Sequence, residues 1–358
     1  MVVDHPLYLE DVRNTASLHL PWERLQGKKI LITGAGGLMG SFLIDVLMYR
    51  NLHMQMNLKI CAVGRSRLNA ASRFAAYFAE PQFAFLEHDI NLPFSAAVSE
   101  SDFVLHMASN THPAVYSSDP IGTISANIIG TKNLLDYAAV CGAERFVFTS
   151  SNEIYGENRG DAEFFDESYC GYIDPNTLRA GYPESKRCGE ALCQAYKKQA
   201  GVNVVIPRFT RSYGPTMKMT DTKAVSQFIR KAICGENIVL KSAGNQYYSY
   251  TYVSDAVSGL LTVLLLGENG EAYNIADASS DIRLKDLAAM LAEYAGTKVV
   301  FELPDEAEKA GYSTATKARL SGEKLKNLGW APGYDIRIGM KRNLEILKSL
   351  YPGSGDQV

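Results

Sequence analysis

Residues 28–35, KKILITGA, form a short apolar run that ends in glycine, and GLMGSFLIDVLMYR follows with apolar residues at helical spacing: Leu38, Phe42, Ile44, Leu47 and Met48. A strand that turns at once into a helix leaves few folds open. Gly34-x-x-Gly37-x-x-Gly40 lies on the turn. The first glycine permits the tight bend, the second lets backbone N–H groups approach a pyrophosphate, and the third lets the helix pack closely on the strand. The helix N-terminus beyond them favours an anion. A glycine triad alone is a weak signal, because loops collect glycines. Between a strand and a helix it specifies a dinucleotide site, with Gly34, Gly37, Leu38, Met39 and Gly40 as its expected contacts.

The same alternation continues through LKICAVGR, a helix near 69–80, QFAFLEHDI, DFVLHMAS, a helix at about 120–140 and RFVFTSS. It predicts an α/β fold, a Rossmann-type doubly wound parallel sheet covered on both faces. Ligands bind such sheets at the carboxyl ends of the strands. Asp89, Ile90, Met107, Ala108, Ser109 and Thr149 fall there and are expected on the cofactor, with Asn127 from the intervening helix. After about residue 208 the pattern changes to helical segments (222–234, 254–266, 283–295, 334–349) among short strands. The expected organisation is an N-terminal leader over 1–27, packing Leu7, Leu9 and Trp22 on the body, and a dinucleotide-binding domain over 28–207 carrying the catalytic residues. A smaller, mostly helical substrate lobe over 208–350 and a flexible tail at 351–358 complete it.

Composition narrows the partners. Lys+Arg 36 against Asp+Glu 39 gives a net charge of −3, which offers nucleic acid or an acidic membrane no electrostatic attraction. The apolar stretch LLTVLLL at 260–266 is too short to span a bilayer, and the N-terminus lacks a signal-peptide pattern, so cytoplasm is the expected compartment. Six scattered cysteines without CxxC, and six histidines without HxxxH, predict free thiols and no metal site.

The second strand distinguishes cofactors: an acid there accepts the ribose 2′-hydroxyl, whereas basic groups accommodate a 2′-phosphate. AVGRSRLN presents Arg65, Ser66 and Arg67, with no acid before Glu80. The expected cofactor is NAD(P), with NADP modestly favoured over NAD. A solvated basic turn is the plain alternative.

Further along, GYPESK contains Tyr182-x-x-x-Lys186, two residues that share a helix face. An ammonium beside a phenol, with a positive nicotinamide ring, lowers the phenol pKa and makes Tyr182 a candidate base. Upstream, TSSNEIYGENRG sets Ser151, Asn152 and Glu153 at the end of a strand.

With these residues in place the sequence resembles the extended short-chain dehydrogenase/reductase family, the nucleotide-sugar epimerases and dehydratases, over roughly residues 28–350. HDI at 88–90, NIIGTKNLLDYA at 127–138, TSSNEIYGE, YPESK, PRFTRSYGP at 207–215, AGNQYYSYTYVSDAV at 243–257 and LKNLGW at 325–330 carry the resemblance. It implies that Ser151 bonds the sugar 4-hydroxyl and that Tyr182, with Lys186, takes its proton while C4 gives a hydride to the cofactor. It also implies that Glu153 stands where dehydratases carry the C5 base, with Asn152 in place of an acid. A dTDP-glucose 4,6-dehydratase-like lyase is therefore the first expectation. Nucleotide-sugar 4-epimerase and UDP-glucuronate decarboxylase are alternatives, although the basic stretch that decarboxylases use is absent from YSTATKARL at 312–320. An NADPH-dependent carbonyl reductase and an inactive cofactor-binding protein are the rival classes; intact Ser151, Tyr182 and Lys186 speak against the latter.

Two departures bear on substrate. Tyr248 replaces the arginine that the resemblance leads one to expect on the nucleotide diphosphate, and Arg211 stands where asparagine is common: either the contact has moved to Arg211, or the substrate lacks the usual diphosphate geometry and need not be a nucleotide sugar. His112 and Arg208 complete the expected substrate contacts. A homodimer through the helices near 115–140 and 182–200 is implied by the same resemblance.

Overall fold

The computed structural model of the chain describes residues 2–94, 100–111, 113–302 and 316–352. Its first strand, β1 (Lys29–Thr33), buries Ile30, Leu31 and Ile32 completely, as a strand covered on both faces must. β1 is flanked by β2 (Lys59–Gly64) and β4 (Phe103–His106), and the order continues outward to β3 (Phe83–Glu87) on one side and to β5 (Arg145–Phe148), β7 (Val204–Phe209) and β11 (Ala272–Ile275) on the other. All these pairings are parallel. Strand order reverses beside β1, and the register sets Thr33 level with Val63 and with His106, and His106 level with Phe148. The strands thus end together at one rim, the expected ligand crevice.

Helices α2 (Leu38–Met54), α3 (Arg67–Arg73), α5 (Pro120–Cys141) and α6 (Gly181–Ala200) connect them. The helix expected near 69–80 is shorter and earlier, because Ser66 caps α3 by accepting the Asn69 N–H at 3.3 Å and the chain passes into turns after Phe74. α5 and α6 pack along each other; α5 leaves Ile121 (78% exposed), Ile129 (47%) and Val140 (86%) uncovered.

The N-terminal segment forms a helix of its own, α1 (Pro6–Ala16). Trp22 is buried as expected, but Leu9 is exposed. Tyr8, Val12 and Ala16, spaced one turn apart, form the buried face, and Leu9 lies off it. Asp11 on this helix accepts bonds from the Tyr252 and Tyr334 hydroxyls and from Arg342 Nε, each at 2.7 Å. Those contacts clip the N-terminus to helix Ile336–Leu350 near the other end of the chain.

The single lobe expected over 208–350 is interrupted. α8 (Val253–Leu266) is apolar nearly all round and is buried between α2 and the sheet, and β11 then pairs with β7, so this stretch returns to the dinucleotide-binding body. The remaining lobe consists of α7 (Ala224–Ile233), α9 (Leu284–Ala295), helix Ile336–Leu350 and a small sheet around β10 (Tyr247–Tyr252). The chain between β6 (Ser150–Ser151) and α6 reaches across to it, with Phe165 N–H donating to the Arg319 carbonyl at 2.8 Å. Among the described residues no helix is long and apolar enough to cross a membrane.

Candidate active site

A cavity of about 1410 Å³ opens at the carboxyl rim of the main sheet, between body and lobe. Its inner wall is the glycine loop. Gly34 has φ +68°, and a Cβ there would lie 2.6 Å from the Met107 carbonyl oxygen and 2.7 Å from the Ala108 nitrogen. At Gly40 a Cβ would lie 2.5 Å from the Gly34 oxygen, so the loop must fold back on the first turn of α2 without a side chain. Gly37 caps α2 with no side-chain hydrogen bond, leaving first-turn N–H groups of Leu38 and Met39 for a ligand anion. Thr33 Oγ1 accepts the Met107 and Ala108 N–H groups at 3.1 Å each and contacts His106 Nδ1 at 3.1 Å. His106 is buried, and burial with the Lys186 charge pushes it down to about 3; this neutral ring is packing beneath the loop.

Arg65, Ser66, Asp89, Ile90, Met107, Ala108, Ser109 and Thr149 all line the cavity, as expected for cofactor contacts. Asn127 does not. Fully buried behind the wall, it accepts from the Ser109 hydroxyl at 2.9 Å and donates to Ser185 at 3.0 Å, so it positions Ser109 and α6. Arg67 also departs from expectation: its backbone N–H meets Glu87 and its guanidinium the Phe85 carbonyl, outside the cavity lining. These residues fit a dinucleotide: a glycine loop whose tight fold leaves no room for a Cβ at Gly34 or Gly40, an uncapped helix start, and one polar basic corner at Arg65 and Ser66.

The catalytic candidates meet at the cavity floor. Ser151, Asn152, Glu153, Tyr182 and Lys186 all line it. Tyr182 hydrogen-bonds Ser151, and Ser151 Oγ accepts the Glu153 N–H at 3.2 Å. Burial pushes the Tyr182 phenol up to about 12, partly offset by the Ser151 bond. One turn along α6, Lys186 donates to the Thr149 carbonyl at 2.8 Å and sits 4.8 Å from the Phe148 ring centre. Burial pushes its ammonium down to about 7 against the opposing pull of Glu190. A cation beside the phenol would favour its phenolate.

Glu153 is not a free base. Arg179 Nη2 donates to its Oε2 at 2.6 Å, and Arg211 Nη2 lies 3.6 Å from its Oε1. Burial opposes its ionisation, but the two guanidinium groups outweigh burial and hold its carboxyl below the ordinary value. Arg211 in turn lies 3.5 Å over the Tyr248 ring centre. With its amide oxygen facing Arg211, Asn152 accepts from Nη1 at 2.8 Å and donates to the Phe209 carbonyl at 3.3 Å. Tyr248 therefore acts on the cavity as the platform for Arg211.

Arg208, expected on the substrate, is buried on the far side of β7. It forks onto Glu190 at 3.0 and 2.7 Å and donates to the Tyr155 hydroxyl at 2.9 Å, outside the cavity lining. Alternation along the strand sends Arg208 and Phe209 to opposite faces. His112 lies outside the described residues, as do 312–315 of the YSTATKARL stretch; Arg319 pairs with Glu163 at 2.8 Å. Arg179 and Tyr116 are site residues that the motifs do not mark. The available signal for Arg179 was a cation one turn before Tyr182. No group of metal-ligating side chains occurs among the described residues, and the six cysteines are free.

The NAD dependent epimerase/dehydratase family matches residues 30–276, and the chain belongs to that family. UDP-glucuronic acid decarboxylase 6 of Arabidopsis thaliana is 31% identical over 316 residues, 87% of this chain and 86% of that protein. UDP-glucuronic acid decarboxylase 1 of Xenopus tropicalis is 32% identical over 321 residues, 90% of this chain and 72% of that protein. Among solved structures, dTDP-glucose 4,6-dehydratase from Streptomyces venezuelae with NAD bound superimposes with a TM-score of 0.76 at 23% identity, covering 90% of this chain and 97% of the other. The UDP-glucuronic acid 4-epimerase of Bacillus cereus, in complex with UDP-glucuronic acid and NAD, gives 0.76 at 22% identity, covering 90% and 100%. These two share the fold.

The buried lysine makes a pH-dependent expectation. Its folded value of about 7 lies below the ordinary 10.5, so the fold disfavours the ammonium and stability falls as pH drops from 10.5 towards 7. Lys186→Met removes that dependence. In melts across this range the stability difference should move steadily in favour of Lys186→Met as pH falls, and level off below about 7. A pH-independent difference would show that the amine titrates normally.

Proposed function

We propose that the protein is an NAD-dependent enzyme acting on a nucleoside-diphosphate sugar through a 4-keto intermediate, and that it decarboxylates a hexuronic acid. The observation that carries the reaction is Glu153, clamped between Arg179 and Arg211 immediately after Ser151. The identity of the chain to UDP-glucuronic acid decarboxylases over most of its length supports the same reading.

The residues divide the work as follows. NAD along the glycine cradle would supply the hydride acceptor and donor. Ser151, bonded to Tyr182, orients the sugar 4-hydroxyl, and the Tyr182 phenolate takes its proton. The 4-keto group makes the C6 carboxylate a β-keto acid. The C5–C6 bond then breaks, carbon dioxide leaves, and the electron pair passes to the carbonyl oxygen beside Ser151 and Tyr182. A proton returns to C5. No base need remove a C5 proton, which suits a Glu153 whose basicity is suppressed by two cations. Dehydration, the first expectation from Asn152-Glu153, asks more of this site: a free C5 base and a proton donor to the leaving 6-hydroxyl, while Asn152 is engaged between Phe209 and Arg211. Incubation with NAD and a panel of UDP-glucuronate, UDP-glucose and dTDP-glucose tests this by product mass. Loss of carbon dioxide from UDP-glucuronate is expected. Loss of water from a neutral sugar, or an isomer of unchanged mass, would replace decarboxylation with dehydration or epimerisation.

The finer cofactor preference, NADP over NAD, has one support left, Arg65 at the cavity edge, because Arg67 is turned away. Arg65→Ala should weaken NADP by the roughly 1.5–3 kcal/mol of a charge-assisted bond and leave NAD unchanged. Calorimetry showing NAD tighter in the parent protein would remove the preference.

For assembly we infer a homodimer through α5 and α6, on the strength of the uncovered Ile121, Ile129 and Val140. Sedimentation at micromolar concentration should show a dimer, and Ile121→Asp with Val140→Asp a monomer. A monomeric parent protein would refute it.

A further inference from the structure

Arg179 is the least settled charge in the cavity. Its Nη2 holds Glu153, but its Nε and Nη1 are buried and have no acceptor among the described residues. Buried polar groups are rarely left so, and an unsatisfied charged donor is costly. Arg211 differs: it has the Tyr248 face, the Asn152 oxygen and the second oxygen of Glu153. One carboxylate is therefore shared by two guanidinium groups, one of which still lacks acceptors. An acceptor for either nitrogen has the chemistry of an anionic oxygen.

Location says where that anion comes from. Arg179 lies one turn before Tyr182, and both stack on Tyr116: the Tyr182 ring at 4.9 Å and 24°, the guanidinium carbon at 5.0 Å. Arg179 thus stands beside the phenol that would take the 4-hydroxyl proton. It lines both the main cavity and a smaller one of about 290 Å³, which it shares with Arg211, Glu157 and Asp174. Those two carboxylates make the smaller cavity the poorer entry for an anion, which favours the main cavity. On a hexuronic acid bound by its 4-hydroxyl at Ser151 and Tyr182, the neighbouring ring carbon carries a carboxylate.

We propose that Arg179 is the residue that selects a nucleotide-linked uronic acid: one of its two unpartnered nitrogens, Nε or Nη1, donates to the sugar carboxylate while Nη2 keeps Glu153, which it shares with Arg211. The proposal rests on the decarboxylase reading and gives the specificity of that same site, in place of the basic stretch near the C-terminus that the chain lacks. It also gives Glu153 a task, as the resident carboxylate that keeps the two arginines together.

The test is calorimetric binding of UDP-glucuronate and UDP-glucose to protein loaded with NAD, beside a carbon dioxide assay with UDP-glucuronate. The parent protein should prefer UDP-glucuronate, and Arg179→Gln should lose roughly tenfold to a hundredfold in that preference with UDP-glucose affinity unchanged. A simply misfolded site would lose both ligands. In that event Arg179→Lys decides: a reduced preference supports the proposal and an undiminished one overturns it. If the parent protein releases carbon dioxide while Arg179→Gln keeps its full preference, Arg179 is not the selector although the reaction reading stands. If the parent protein neither prefers UDP-glucuronate nor releases carbon dioxide, the reaction reading itself has failed.

Discussion

A buried lysine organises this site. Lys186 is nearly inaccessible, and the Thr149 carbonyl, the Phe148 ring face and the Glu190 carboxylate offset only part of what burial costs its charge. Each compensating group is itself fixed from behind. Glu190 is held by the fork of Arg208, Arg208 by the Tyr155 hydroxyl and the Glu167 carbonyl, and Tyr155 by Asn274 at 2.6 Å. Asn274 donates to the carbonyls of Phe165 and Ser321. A polar chain therefore runs from Lys186 through the sheet to segments that build the lobe. Partly satisfied networks of this kind are unstable, whereas completed ones specify a single arrangement. Here the arrangement ties the body, which would hold the cofactor, to the lobe that forms the other wall of the cavity.

That network explains which features were legible in the sequence. Gly34, Gly37 and Gly40, and the Tyr182–Lys186 pair, act through spacing within one turn or one helix, and local spacing can be read directly. Strand–helix alternation likewise carried the parallel sheet. Arg208 could not be assigned, because its partner Glu190 lies on another element and only the three-dimensional pairing shows that its charge is already used. Asn127 was placed at the correct rim but one layer too shallow. The return of α8 and β11 to the main sheet was hidden for a similar reason: a helix buried on all sides has the same composition in body or lobe. Arg179 belongs to no motif, and what marks it is two buried guanidinium nitrogens, Nε and Nη1, without acceptors among the described residues.

Electrostatics also orders the candidate reactions. In the proposed scheme Ser151, Tyr182 and Lys186 would serve oxidation at C4 whichever reaction follows, so the outcome would depend on what faces C5 and C6. Beside Ser151 the cavity is cationic: Arg179 and Arg211 share one carboxylate, Glu153, and Tyr248 is a surface on which a guanidinium rests. Such a site suits a substrate that brings its own negative charge to C6 and loses it as carbon dioxide. It suits proton abstraction by Glu153 poorly, since two neighbouring cations stabilise the ionised carboxylate and weaken it as a base.

The most direct measurement follows the C6 carbon itself. UDP-glucuronate labelled at C6 should yield the label as carbon dioxide when incubated with the protein and NAD, and should leave an unlabelled nucleotide-linked pentose. Retention of the label in the nucleotide sugar would contradict the assignment of Glu153, Arg179 and Arg211 to a decarboxylating site.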